Sequence, residues 1–195
     1  TISVTKARAN LYDLIDEVSF FSGACFLIKK EVLEKVEGFD GSYFLYFEDA
    51  HLAKKIREAG FRTYYTGQTF IYHKVGFSSK RQNQSFVYYH SLKNMLRSQI
   101  KNLELGNVVK ITSIFLLIII LLSFYYLLRF RFKQFLMVWK SLFWNLMVIK
   151  ETLSLRKSVQ RLRVINDSII FKDILRNLSL SSMFSHFLKV EANFK

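Results

Sequence analysis

Two adjacent carboxylates, Glu48 and Asp49, stand where an apolar and aromatic run, Phe44-Leu-Tyr-Phe47, gives way to helical spacing. Leu52, Ile56 and Ala59 recur at i, i+4 and i+7 with Lys54, Lys55, Arg57 and Glu58 between them, and Gly60 stops the pattern. At a helix N-terminus the macrodipole and unpaired backbone N–H groups favour an ionised carboxylate. Such a group can accept a proton, face a cation or simply cap the helix, and the residues alone leave base and cap on equal terms. His73 closes a short β-rich stretch, where an imidazole serves either as a ligand or as an ordinary hydrogen-bonded or exposed side chain. The single cysteine, Cys25, lies in Ala-Cys-Phe-Leu-Ile and reads as a buried small hydrophobe rather than a nucleophile.

The elements that must position these groups follow from patterning. Residues 1–19 are weakly patterned, with Leu11, Leu14, Ile15 and Val18 at helical spacing. Phe20 to Ile28 is an expected strand broken by Ser22-Gly-Ala24, where small residues admit a backbone or a ligand. Lys29 to Val36 reads as a short helix with Val32, Leu33 and Val36 inward, and Gly38-Phe-Asp-Gly41 as a turn. Phe61–Thr66 and Thr69–Tyr72 read as strands, and residues 74–84 as a polar loop carrying Lys80 and Arg81. Phe86, Tyr89, Leu92, Leu96 and Ile100 mark a helix to about Lys101. The tyrosine pairs 64–65 and 88–89 suit either sugar stacking or the edge of a core.

In order and spacing, these pieces resemble a known family. Ser22-Gly-Ala-Cys-Phe-Leu-Ile, Gly38-Phe-Asp40, Phe44-Leu-Tyr-Phe-Glu-Asp49, the basic helix ending Ala59-Gly-Phe61, Tyr64-Tyr65, His73 with Gly76 and Ser78, and Tyr88-Tyr89 with Asn94 are similar to the acceptor-side half of a family 2 inverting glycosyltransferase of GT-A fold. The nearest branch is the rhamnosyltransferase-like and galactofuranosyltransferase-like one. The resemblance implies that Asp49 is the catalytic base and Glu48 orients the acceptor. Ser22, Gly23 and Ala24 would line the acceptor side. His73 would help bind a divalent cation, Mn²⁺ or Mg²⁺, beside a nucleotide-sugar diphosphate in the complete enzyme. An inverting transfer needs such a base, because a sugar hydroxyl attacks the anomeric carbon well only as its proton leaves.

The chain also departs from the pattern. His51 stands where relatives carry a further Asp, Gly67 stands near the place of a usual proline, and the chain has no proline at all. No Asp-x-Asp occurs, and only some twenty residues precede the match. The expectation is therefore an incomplete α/β GT-A domain lacking its nucleotide-binding half, with that half supplied by a longer chain or a partner chain. The alternative is a non-catalytic membrane-anchored adaptor or subunit derived from a truncated glycosyltransferase.

A second organising feature is apolar. Residues 111–128 (ITSIFLLIIILLSFYYLL) contain no charge and, at 1.5 Å per residue, would extend about 27 Å, near the hydrocarbon thickness of a bilayer. Residues 130–149 place Lys133, Gln134, Lys140, Ser141 and Asn145 on a narrow stripe, which suits an interfacial helix or a second span. Of the formal net charge of +14, +9 falls in residues 129–195, as 13 Lys and Arg against 4 Asp and Glu. A basic tail beside an apolar segment points to an anionic membrane surface, and no motif supports nucleic-acid binding. Three regions are thus expected: 1–103 as the acceptor-side part, 108–150 as the membrane region, and 151–195 as a basic amphipathic tail with a last helix around residues 175–188. With no signal-peptide pattern at the start, the expected location is the cell membrane, with the catalytic part and the tail on the cytoplasmic side. The expected acceptor is lipid-linked or a cell-surface glycan.

Overall fold

The computed structural model describes residues 15–69, 71–73 and 84–175. Among these residues two short strands and seven helices follow one another: β1 (Ile15–Val18), α1 (Lys30–Lys35), α2 (Glu48–Glu58), β2 (Thr63–Thr66), α3 (Gln84–Asn102), α4 (Leu105–Leu128), α5 (Phe132–Met147), α6 (Ile149–Leu162) and α7 (Asp167–Leu175). The described residues are therefore mostly helical. Their one sheet is the antiparallel pair β1–β2, running from Ile15 opposite Thr66 to Val18 opposite Thr63. Arg57 ties this ribbon to α2 through Glu17 at 2.6 Å.

The first core is small. Val36, Leu52, Ile56 and Ala59 are buried, with Phe21, Phe26, Ile28, Val32, Leu33 and Phe61 packed around them. The apolar spacing that predicts α2 supplies its inner face. Gly60 ends that helix in the left-handed region (φ +87°), so that its N–H reaches Arg57 O and the Phe61 N–H reaches Ile56 O. A Cβ at Gly60 would also lie 2.8 Å from Val164 Cγ2, so both backbone geometry and space require glycine.

Several expectations fail locally. Phe20 to Ile28 forms no strand: Phe21 and Phe26 lie on the α1–α2 core in irregular backbone, and an apolar run alone does not provide a hydrogen-bonding neighbour. Thr69 and residues 71–73 are also outside any strand, whereas Ile15–Val18, read at helical spacing, pairs with β2. Cys25 is exposed rather than buried. Gly76, Ser78, Lys80, Arg81 and the expected helix beyond Leu175 lie outside the described residues.

The larger body is a helical block. Helix α3 runs antiparallel to α4, as the contacts Gln99–Thr112 and Tyr88–Tyr126 show, and α5 lies alongside both. Leu92, Ile119, Tyr126 and Val138 form its centre. The apolar segment at 111–128 is the greater part of α4, and α4 is long and apolar enough to cross a membrane. Its inner stripe, Thr112, Ile119, Ser123 and Tyr126, is buried, while Leu117, Ile118, Leu121 and Phe124 are exposed.

Helix α5 reverses the usual polarity. Ser141 and Asn145, part of the narrow polar stripe read from the sequence, are buried, and Asn145 Nδ2 donates to Lys93 O at 3.1 Å. Leu136, Trp139, Phe143 and Leu146 face outward instead. After α5 the chain turns at Val148, and α6 runs down α3 towards α2. There Val164 N donates to Glu58 O at 2.7 Å, and Arg163 pairs with the Glu58 carboxylate at 2.8 Å. The segment after the α4–α5 hairpin thus comes back onto the first core.

Candidate active site

The turn that presents Asp49 is strained and clamped. Tyr46 and Phe47 adopt consecutive left-handed conformations (φ 63° and 69°) immediately before α2. For residues other than glycine this costs of order 1–3 kcal/mol each and persists only where surroundings impose it. The clamp is Asn94 of α3. This fully buried side chain donates through Nδ2 to both Leu45 O and Tyr46 O, each at 2.8 Å. Helix α2 then begins with the His51 N–H on Phe47 O at 2.8 Å.

The N-cap of α2 is Phe47, which provides no side-chain cap. Asp49 takes one first-turn N–H, that of Ala50, on Oδ1 at 2.7 Å, so part of the capping role is present. Its other oxygen does something a cap does not require. Oδ2 accepts the Gly23 N–H at 2.8 Å, from a loop 26 residues earlier. Ser22 Oγ accepts the Ala24 N–H at 3.3 Å and folds this loop on itself. The expected acceptor loop and the expected base are thereby brought together. Gly23 is the residue that permits the approach, because a Cβ there would lie 3.3 Å from both Cβ and Oδ2 of Asp49.

Glu48 is half-buried beside Asp49, and its Oε2 is buried without a hydrogen-bond partner. His73 is exposed. Among the described residues no group of three or more His, Cys, Asp or Glu could hold a metal ion. The described residues therefore do not by themselves make a divalent-cation site.

Below the turn lies a buried polar cluster that sequence reasoning missed. His51, at the place of the usual Asp, is 1% exposed, stacks on Tyr43 and contacts Asn102 Nδ2 through Nδ1 at 2.9 Å. Its Nε2 lies 3.7 Å from Asp40, whose carboxylate also binds the Lys101 ammonium and, at 2.9 Å, the Ser42 N–H. Burial opposes the Asp40 charge, but Lys101 and Ser42 hold its carboxyl well below the usual range. Burial lowers Lys101 to about 8 despite Asp40 beside it. Lys55 crosses the other way, donating to Val36 O at 2.6 Å and Gly38 O at 2.8 Å. This cluster ties the Gly38–Gly41 turn to α2 and α3. Its signals in the sequence are Asp40 in the Gly38–Gly41 turn and the departure at His51.

The arrangement can hold one carboxylate, Asp49, at a helix start against a glycine-bearing loop, supported by a buried amide from a separate helix. The sequence profile of the family described as "Glycosyltransferase like family 2" matches residues 1–99. An N-acetylglucosaminyl-diphospho-decaprenol L-rhamnosyltransferase of Mycobacterium tuberculosis, in strain CDC 1551 / Oshkosh and in strain ATCC 25618 / H37Rv, is 32% identical over 73 residues. That match covers 37% of this chain and 24% of the relative, so the chain spans about a quarter of the length of the curated relatives it matches. No solved structure matches. The profile covers the stretch that carries Gly23, Asp49 and Asn94, and the chain belongs to glycosyltransferase-like family 2.

Proposed function

We propose that the full-length enzyme transfers a sugar from a nucleotide-activated donor, with inversion, to a lipid-linked or surface-glycan acceptor. Asp49 is the general base. The acceptor hydroxyl oxygen forms the new bond to the anomeric carbon, the bond from that carbon to the nucleoside diphosphate breaks, and the hydroxyl proton passes to Asp49. The observation that carries this reading is the Gly23–Asp49 contact. It aims the carboxylate at the loop that would receive the acceptor. Glu48 and Ser22, Gly23 and Ala24 orient the acceptor. A divalent cation in the complete enzyme would draw most of its ligands from outside the described residues, with His73 contributing at most one.

The enzyme is membrane-associated in this reading. Support comes from the large apolar residues exposed on α4 and α5, of the kind that marks a membrane or partner contact. The return of α6 onto α2 favours an α4–α5 hairpin that keeps the basic tail and the catalytic part on one side, the cytoplasmic one. The relatives' names specify a lipid-linked diphosphate sugar, which supports the same acceptor class. The test is Asp49→Asn in the full-length enzyme. Transfer is abolished while nucleotide-sugar binding persists; near-normal turnover refutes the assignment.

A further inference from the structure

Helix α3 carries a stripe of basic side chains, His90, Lys93, Arg97 and Lys101, on successive turns, all of them buried. Two are neutralised within the fold: Arg97 by Glu151 at 2.6 Å and Lys101 by Asp40. Lys93 is different. It is 6% exposed, and among the described residues no carboxylate pairs with it. Its ammonium rests on aromatic rings instead, 4.2 Å from the centroid of Trp144 and 5.5 Å from that of Tyr89. Lys140 of α5 approaches the same Tyr89 ring at 5.0 Å. Beside them His90 is 8% exposed, and its Nδ1 is buried with no hydrogen-bond partner. Burial, then the charges of Lys93 and Lys140, push the His90 pKa down, so both ammoniums act on this ring. Two cations and an orphaned imidazole nitrogen thus surround the Tyr89 ring, and among the described residues no carboxylate pairs with either cation.

The surroundings define the ligand. Lys140 stands on the outward face of α5 among the exposed apolar residues Leu136, Trp139 and Phe143. On its other side the same turn of α3 touches the segment that presents Asp49, through Phe44 against His90 at 5.7 Å and through Asn94 on Leu45 and Tyr46. The cationic site therefore lies between an apolar surface and the candidate base. We propose that Lys93, Lys140 and His90 bind the diphosphate of a lipid-linked acceptor, with the lipid chain on the outer face of α5 and the sugar towards Asp49. This inference rests on the glycosyltransferase reading for its choice of ligand. An anionic bilayer headgroup or a free diphosphate has the same phosphate chemistry, and the experiment separates the three.

The test is a tryptophan-fluorescence titration of the full-length protein in neutral detergent with farnesyl diphosphate, farnesol or inorganic pyrophosphate. Farnesyl diphosphate binds at least about tenfold more tightly than either of the others. Lys93→Gln and Lys140→Gln each remove that margin, whereas Lys93→Arg retains it. The exposed Lys140 variant decides the matter if Lys93→Gln fails to fold. An unchanged margin in both Gln variants overturns the proposal. So does pyrophosphate binding as tightly as farnesyl diphosphate, or equal competition by phosphatidylglycerol vesicles, which would mark a free-anion or headgroup site. Asp49→Asn keeps the farnesyl diphosphate margin, so a failure of the catalytic assignment and a failure of this site give different results.

Discussion

The Gly23 amide donates to Asp49 Oδ2 at 2.8 Å and fixes the carboxylate against the loop formed by residues 22–24. The contact depends on a missing side chain. A Cβ at Gly23 would lie 3.3 Å from Asp49, close enough that the carboxylate has to shift by a few tenths of an ångström. Gly23→Val is therefore expected to lower kcat by about 10–100-fold, because catalysis is sensitive to misplacement of a base on this scale. Because Gly23 is exposed, the melting temperature changes little. Kinetics and calorimetry on the same preparation check both halves.

Asn94 holds the strained turn from the far side. Asn94→Ala leaves two carbonyls without their donor and releases the left-handed Tyr46 and Phe47. The expected loss is about 2–3 kcal/mol of stability, with a fall in kcat for the population that stays folded. Asn94→Asp is worse, since it sets a carboxylate against two carbonyl oxygens. Urea denaturation of the three proteins gives the order wild type, Ala, Asp.

His51 makes stability depend on pH. Burial, then the charges of Lys101 and Lys55, push its pKa well below the usual imidazole value, while Asp40 pulls the other way. Below about pH 6.5 the unfolded chain takes up a proton that folded His51 refuses, so its contribution is present above that pH and lost as pH falls. The slope is about 1.4 kcal/mol per pH unit for each such proton. His90, also depressed, adds to it. His51→Gln is expected to remove one proton's share of the slope between about pH 6 and pH 5, measured by urea midpoints at each pH.

Arg163 joins the returning segment to the base of α2. It pairs with Glu58, which is 1% exposed, and with Asp167 at 3.1 Å. Burial pushes the Glu58 carboxyl up to about 8 even with Lys54 and Arg163 beside it. Arg163→Met is expected to cost about 3 kcal/mol, because it leaves a buried acid without its nearest partner. Amide exchange at Val164 and Ile165, whose N–H groups bond Glu58 O, accelerates before the rest of the chain. Uniform acceleration contradicts this local attachment.

The sequence conveys these relationships unevenly. The bounds of α2 follow from three apolar residues and one glycine, and β2 from its tyrosines and threonines, because both signals are local. The carboxylate pair stands out for the same reason. Asn94 does not announce its role: its partners, Leu45 and Tyr46, lie almost fifty residues away, and only folding brings an amide to two carbonyls. Phe20–Ile28 misleads because an apolar run can pack a few side chains, here Phe21, Phe26 and Ile28, equally well from a strand or from irregular chain. Residues 130–149 show a stripe without showing which way it turns. A polar stripe on a helix is normally turned to water, but Ser141 and Asn145 turn inward to α3 because the outer side of α5 is the apolar one.

The central claim is that Asp49 accepts a proton rather than merely holding the start of α2. Asp49→Ser separates the two roles, since a serine hydroxyl still accepts a first-turn N–H but does not take up the acceptor's proton. The decisive measurement is the single-turnover transfer rate of that variant in the full-length enzyme, with donor bound. A fall of about 10²–10⁴-fold at an unchanged melting temperature is the predicted result. A rate close to that of the wild type would make Asp49 a helix cap and contradict its role as the base.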